Sequence, residues 1–89
     1  MKAIVTVVGK DQVGIIAAVC IKLAEFNVNV LDISQTVMQG YFTMMMVVDV
    51  TGCNVPLAEL CEKMEVLGKE KSLSIRVQRE DIFEAMHRI

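Results

Sequence analysis

The sequence predicts an α+β domain of element order βαββαβ: a four-stranded antiparallel sheet with two helices on one face, followed by a short C-terminal helix. Three observations carry that prediction. Four runs have strand character, starting at Lys2, after Asn27, at Tyr41 and at Leu73, and two stretches of helical periodicity stand between the first and second and between the third and fourth. Only Gln39 and Gly40 separate the second run from the third, and so short a link forces an antiparallel hairpin. The fourth run alternates cleanly, Leu73, Ile75 and Val77 against Ser74, Arg76 and Gln78, as a strand with one covered face does.

Taken in order, Lys2 to Val8 is β-branched and almost wholly apolar, which suits a central strand. Asp11 is expected to cap a helix running from Gln12 or Val13 to Phe26, in which only Lys22 and Glu25 carry charge. A helix so apolar wants two covered sides, one on its own sheet and one on a partner subunit. The NVNV segment, Asn27 to Val30, turns the chain into a second strand that reaches about Gln39. In the third strand, Tyr41 to Val50, the row Phe42, Met44, Met46, Val48, Val50 is apolar throughout and is expected to face the helices; Tyr41, Thr43, Met45, Val47 and Asp49 form a mixed row for the other face.

Asn54 and Pro56 signal the start of the second helix, where Leu57, Leu60, Cys61, Met64 and Leu67 recur on one side. Glu59 and Lys63, and Glu65 and Lys69, are spaced to pair on the wet side. Beyond the fourth strand, Arg79 to Ile89 places Ile82, Phe83, Met86 and Ile89 on one stripe of a short helix, with acidic residues at its start and His87 and Arg88 at its end. The expected division is therefore a domain over 1–79 and a helical extension over 80–89, packing on the domain or on a dimer partner. The order as a whole is the split βαβ, ferredoxin-like plait.

Composition narrows the function. A chain of 89 residues buries only about 60–65% of its unfolded surface. Yet 54% of its residues are hydrophobic and its mean hydropathy is +0.50, more than a monomer of this size hides, so a homodimer or higher homo-oligomer is expected. The longest apolar stretches, Ile15 to Ile21 and Met44 to Val48, fall short of the roughly 18 residues of a membrane span. With no export signal ahead of the first strand, a soluble, cytoplasmic protein without membrane contact is expected. The three cysteines, Cys20, Cys53 and Cys61, fit neither a disulfide framework nor a metal site and are read as free thiols. A net charge of −2 with dispersed basic residues disfavours nucleic acid. The Met44–Met46 run reads as core and interface packing.

The segment GKDQVGIIAAVCI, Gly9 to Ile21, poses the functional question. Two glycines frame a corner that opens onto a helix N-terminus, where unpaired N–H groups and the helix dipole favour an anion. It is not a Walker A loop, since Ile15 and Ile16 follow Gly14 where lysine and a hydroxyl are needed, and it lacks the third glycine of a dinucleotide fingerprint. Two readings stay open: a site for a ligand smaller than a nucleotide, or a turn in which Asp11 caps the helix and Gly14 allows tight packing. Asn29 likewise reads either as a ligand contact or as turn chemistry after a helix. His87 stands alone, and no nucleophile sits beside a base, so neither an enzyme nor a metal or cofactor site is expected.

The strand, the DQVG turn at Asp11–Gly14, the near-apolar helix, the NVNV turn and the βαββαβ order together resemble an ACT domain, the regulatory module of amino-acid metabolism. The overall length and the MHRI tail are similar to the small stand-alone ACT proteins of bacteria and archaea. The resemblance implies a module that senses a small metabolite, often an amino acid, between two domains. It implies contacts from Asp11, Gln12, Val13, Gly14 and Ile15 in one subunit, with the N–H groups of Val13, Gly14 and Ile15 approached by a carboxylate and Asp11 toward an ammonium group. Asn29 and its strand neighbour Leu31 would come from the other subunit. Val13 stands where the family often has proline, and Gly9 where its serine sensors carry a hydrogen-bonding side chain, so serine specificity is not implied. The alternative function is a ligand-free subunit that docks onto a metabolic enzyme or regulator through the apolar first helix and the bare sheet face.

Overall fold

A computed structural model of the protein describes residues 1–81. It contains β1 (Lys2–Lys10), α1 (Ile15–Glu25), β2 (Asn29–Met38), β3 (Tyr41–Asp49), α2 (Leu57–Lys71) and β4 (Leu73–Arg79). The strands form one antiparallel sheet in the order β2-β3-β1-β4, with β1 and β3 central and β2 and β4 at the edges. This is the expected βαββαβ plait. The expected C-terminal stripe Ile82, Phe83, Met86, Ile89 and His87 lie outside the described residues.

The core lies between the sheet and the two helices. Phe42, Met44, Met46, Val48 and Val50 are all buried there, together with Ala3, Val5 and Val7 of β1, Ile15, Val19 and Leu23 of α1, and Leu60, Met64 and Leu67 of α2. Burying one such large side chain stabilises the fold by about 1.5–3 kcal/mol. The mixed row behaves differently: Tyr41, Thr43 and Met45 are exposed and Val47 and Asp49 half-buried.

The turns show why the chain changes direction where it does. At the β2–β3 hairpin both Gln39 (φ 51°) and Gly40 (φ 81°) are left-handed, the geometry whose twist matches the flanking strands. At the end of α1, Asn27 takes φ 60°; its N–H donates to the carbonyl of Ala24 (3.0 Å) and that of Val28 to Leu23 (3.1 Å). That pair of bonds is a Schellman ending, with the buried Val28 supplying the usual apolar contact. The side-chain amide of Asn27 also donates to Gly52 O (2.8 Å) and that of Asn54 to Glu25 O (3.1 Å), tying this corner to the loop before α2. So Asn27 does the turn chemistry, while Asn29 is already in β2.

Two expectations at the start of α1 are corrected. The helix begins at Ile15, later than Gln12 or Val13, and its N-cap is Gly14, not Asp11. The reason is the sheet: β1 continues to Lys10, and the N–H of Asp11 donates to Gly40 O (2.8 Å), so Asp11 finishes the ladder before the chain is free to coil. Gly14 then makes the corner with φ 86°, a conformation that L side chains rarely adopt. A Cβ there would meet nothing within 4 Å, so its role is the backbone angle and not tight packing.

The two sheet edges are unequal. On β4, Leu73 O and Ile75 N face Gly68 of α2 so closely that a Cβ at 68 would lie 2.6 Å from that oxygen. The Cys61 thiol donates to Val77 O (3.4 Å) on the same side. Helix α2 therefore blunts the β4 edge. On β2, by contrast, nine of the ten residues are exposed and only Val30 is half-buried. The edge left open is β2.

Candidate functional site

Around the N-terminus of α1 the chain forms a cleft of about 280 Å³, lined by Asp11, Gln12, Gly14, Ile15, Ile16 and Ala17 on one side and by Gln35, Val37 and Phe42 on the other. Its place follows from the sheet order. Edge strand β2 lies beside β3, α1 approaches β2 and α2, and the cleft opens between the first turn of α1 and the Met38 end of β2. With Gly14 as the cap, the N–H groups left without an intrahelical partner are those of Ile15, Ile16 and Ala17. Among the described residues no side-chain hydrogen bond caps the helix, and its first turn holds no acidic residue. The positive end of the helix thus meets the cleft with Asp11 as the one carboxylate in its lining.

The remaining surface of the cleft is apolar, from Ile16, Ala17, Val37 and Phe42, with Gln35 as the polar member of the β2 wall. Cross-strand pairing explains that wall. Val30, Ile33, Gln35 and Val37 pair with Val48, Met46, Met44 and Phe42, so they share the helix-side face; Val30 packs against the core, whereas Ile33 and Val37 lie beyond the buried cluster. Ile33 is 40% and Val37 54% exposed as a result. Ile16 and Ile21 of α1 add to the exposed apolar surface.

Of the expected site residues, the structure gathers Asp11, Gln12, Gly14 and Ile15 in the cleft lining. Gln12 has a further role, since its amide donates to Lys71 O (2.9 Å) and so ties the corner to the end of α2. Val13 does not line this cleft and its side chain is fully exposed. Asn29 and Leu31 lie elsewhere. Asn29 pairs with Asp49, which pairs with Lys2 on its other side, whereas the cleft is at the Lys10–Tyr41 end. The nine steps of β2 between Asn29 and Met38 span roughly 30 Å. One chain cannot bring Asn29 to Gly14.

Leu31 is the extra residue of a β-bulge, since Val30 opposes Val48 and Asp32 opposes Val47. Near it, Asp49 accepts from the N–H of Thr51 (2.9 Å), and the Thr51 hydroxyl and N–H hold its carboxyl below the usual carboxylate range. The Met1 ammonium group lies 3.7 Å from the same carboxylate. Burial pushes the Cys61 thiol up from its ordinary value. Among the described residues, no group of three or more His, Cys, Asp or Glu is placed to hold a metal ion, and no helix is long and apolar enough to cross a membrane.

Sequence reasoning missed Ile16, Ala17, Gln35, Val37 and Phe42. The spacing of two puts Ile33, Gln35 and Val37 on one face, but which face that is depends on the bulge at Leu31, which no local pattern announces.

Comparison with known proteins places this geometry. The family model described as ACT domain matches residues 2–78. The UPF0237 protein of Bifidobacterium longum is 54% identical over 88 residues, covering 99% of this chain and 98% of its own. The UPF0237 protein of Listeria innocua is 48% identical over 89 residues, covering 100% of both chains. Among solved structures, an ACT domain protein from Streptococcus pneumoniae superposes with a TM-score of 0.83 at 47% identity, covering 98% of each chain. The chain therefore belongs to the ACT domain family, and within it to the small UPF0237 proteins.

Proposed function

We propose that this protein is a homodimeric sensor of a small carboxylate-bearing metabolite, an amino acid in the first instance, held between the β2 edges of two subunits. The ACT domain is a regulatory ligand-binding module, and its family membership indicates a regulatory, non-catalytic protein. The observation that carries the finer reading is the position of the cleft: it opens on the sheet edge that nothing among the described residues covers. Exposed Leu31, Ile33, Val37 and Met38 on that edge account for apolar surface that a monomer would leave in water.

Pairing β2 with its copy about a two-fold axis, antiparallel and centred on the strand, sets the partner's Asn29 end beside the Met38 end of the first subunit. Residues that are roughly 30 Å apart within one chain then meet at the cleft mouth, twice per dimer. In this arrangement the carboxylate accepts from the N–H groups of Ile15, Ile16 and Ala17, and Asp11 takes the ammonium group. The ligand side chain lies against Ile16, Val37 and Phe42. Asn29 and Leu31 of the neighbouring chain close the site. Because the ligand touches both subunits, its binding must strengthen their association by linkage, and that change in assembly is the signal.

A thermal-shift screen against the twenty amino acids and common 2-oxo acids tests this reading. A ligand at 100 times its dissociation constant adds about 2.7 kcal/mol, a shift on the order of 10 °C for a domain of this size. Ala17→Leu, at an exposed position of the cleft, should leave the unliganded melt nearly unchanged and abolish the shift. If no compound shifts the melt, the sensor reading fails, and the open edge serves a protein partner such as a metabolic enzyme or regulator.

A further inference from the structure

We infer that the metabolite held in the cleft is an amino acid with an apolar side chain, of the size of leucine or methionine, and that Val37 is the residue that selects it. This inference rests on the sensor reading above and adds the class of ligand. What carries it is the wall of the cleft and not the helix end, since every amino acid presents the same carboxylate and ammonium group.

One row of the sheet sets that wall. Val37 pairs with Phe42, and Phe42 pairs with Gly9, so the three stand side by side across β2, β3 and β1 at the level of the cleft. None of them brings a polar side-chain atom. Gly9 brings no side chain at all, and the space over it is filled by Leu73, whose Cδ2 would lie 2.5 Å from a Cβ at that position. Phe42 is only 4% exposed and closes the cleft toward the core, whereas Val37 is 54% exposed and stands at its rim. From the helix come Ile15, Ile16 and Ala17, which are apolar as well.

The polar groups point to the same class. The Gln12 amide already donates to Lys71 O, and the neutral Gln35 lies two residues further along β2, opposite Met44. Among the described residues, Asp11 is the one charged member of the lining. Once Asp11 has taken the ammonium group, a basic side chain meets no second carboxylate and an acidic one meets no cation, so each would lose hydration without gaining a partner. A hydroxyl set against Ile16, Val37 and Phe42 likewise gives up its bonds to water. An aliphatic side chain gains with every carbon it buries. At about 280 Å³ in one subunit, the cleft also stands near the lower end of small-molecule sites, roughly 300 Å³, which suits a single amino acid and not a larger metabolite.

The test is calorimetric titration of the full chain with leucine, methionine, alanine, serine, aspartate and lysine, run beside Val37→Thr. That substitution keeps the shape of an exposed side chain and sets a hydroxyl on the rim, so the fold is retained. Leucine and methionine should bind at least ~10-fold more tightly than alanine or serine, with aspartate and lysine weaker still, and Val37→Thr should erase most of that preference. Serine, aspartate or lysine binding as tightly as leucine overturns the inference while leaving the sensor reading in place. A Val37→Thr variant that keeps the wild-type preference overturns it too. If no amino acid binds, the inference and the sensor reading fall together.

Discussion

Gly68→Ala should destabilise this protein, although glycine inside a helix is ordinarily a weakness that alanine repairs by about 1 kcal/mol. At position 68 the added Cβ would stand 2.6 Å from Leu73 O, 3.3 Å from Ile75 Cγ1 and 3.4 Å from Ile75 N. Carbon and carbonyl oxygen approach no closer than about 3.3 Å even in favourable contacts, so something must move by roughly 0.7 Å. The obstacle is backbone, anchored by the β1–β4 ladder, and cannot swing aside as a side-chain tip would. Overpacking of this kind costs about 1–3 kcal/mol, and a backbone obstacle belongs at the upper end. Set against the propensity gain, the net loss is about 2 kcal/mol, or a fall in melting temperature of roughly 8–16 °C. Calorimetry on wild type and variant reads it directly. A second readout is assembly: α2 pushed off β4 uncovers that edge, so sedimentation should show species larger than the wild-type form. A variant that melts at or above the wild-type temperature would refute both the packing and the claim that α2 blunts the β4 edge.

Further predictions follow from other positions. Gly14→Ala meets no steric obstacle but must hold φ 86°, so it should cost about 1–2 kcal/mol, and a stabilised variant would show that the corner has another geometry in solution. Val37→Glu, on the open edge, should leave secondary structure intact and weaken self-association at least ~10-fold, because two-fold symmetry sets both carboxylates in one interface; an unchanged sedimentation profile would place the interface elsewhere. The Asp49 carboxyl titrates below its ordinary value of 3.8, so its contribution is present above that pH and is lost as pH falls through the folded value; Asp49→Asn should flatten the acid limb of the melting profile, and an unaltered limb counts against the Thr51 contact. Burial keeps Cys61 protonated, so iodoacetamide at pH 8 should label it more slowly in the native protein than in urea, with equal rates contradicting its placement against Val77 O.

What could be read from the sequence was local. The Phe42–Val50 row and the Leu73–Val77 alternation declare their faces by a period of two, and Gln39-Gly40 declares a hairpin by its length, so sheet, core face and topology were legible. The start of α1 was not, because Asp11 looks like a cap until Gly40, 29 positions away, takes its N–H into the sheet. Asn27 and Asn29 offer the same side chain two residues apart, and only the Schellman geometry decides that the first ends the helix. Gly68 reads as a poor helix residue and is in fact the gap through which α2 reaches β4.

The cleft was half legible for the same reason. Its α1 side is contiguous in sequence, from Asp11 to Ala17, whereas its β2 side depends on strand order and on a bulge. The extra residue at Leu31 shifts the parity of β2, so that Val30 and Ile33, three apart, share the helix-side face. No local pattern announces that shift, and without it Gln35 and Val37 cannot be assigned to the cleft.

Sedimentation equilibrium of the full chain, alone and with each of the twenty amino acids, decides whether a ligand bridges two subunits. The expected result is a reversible dimer whose dissociation constant falls in the presence of any amino acid that raises the melting temperature, with Val37→Glu removing both effects. A chain that stays monomeric at all concentrations, or a dimer indifferent to every amino acid that binds, would contradict it.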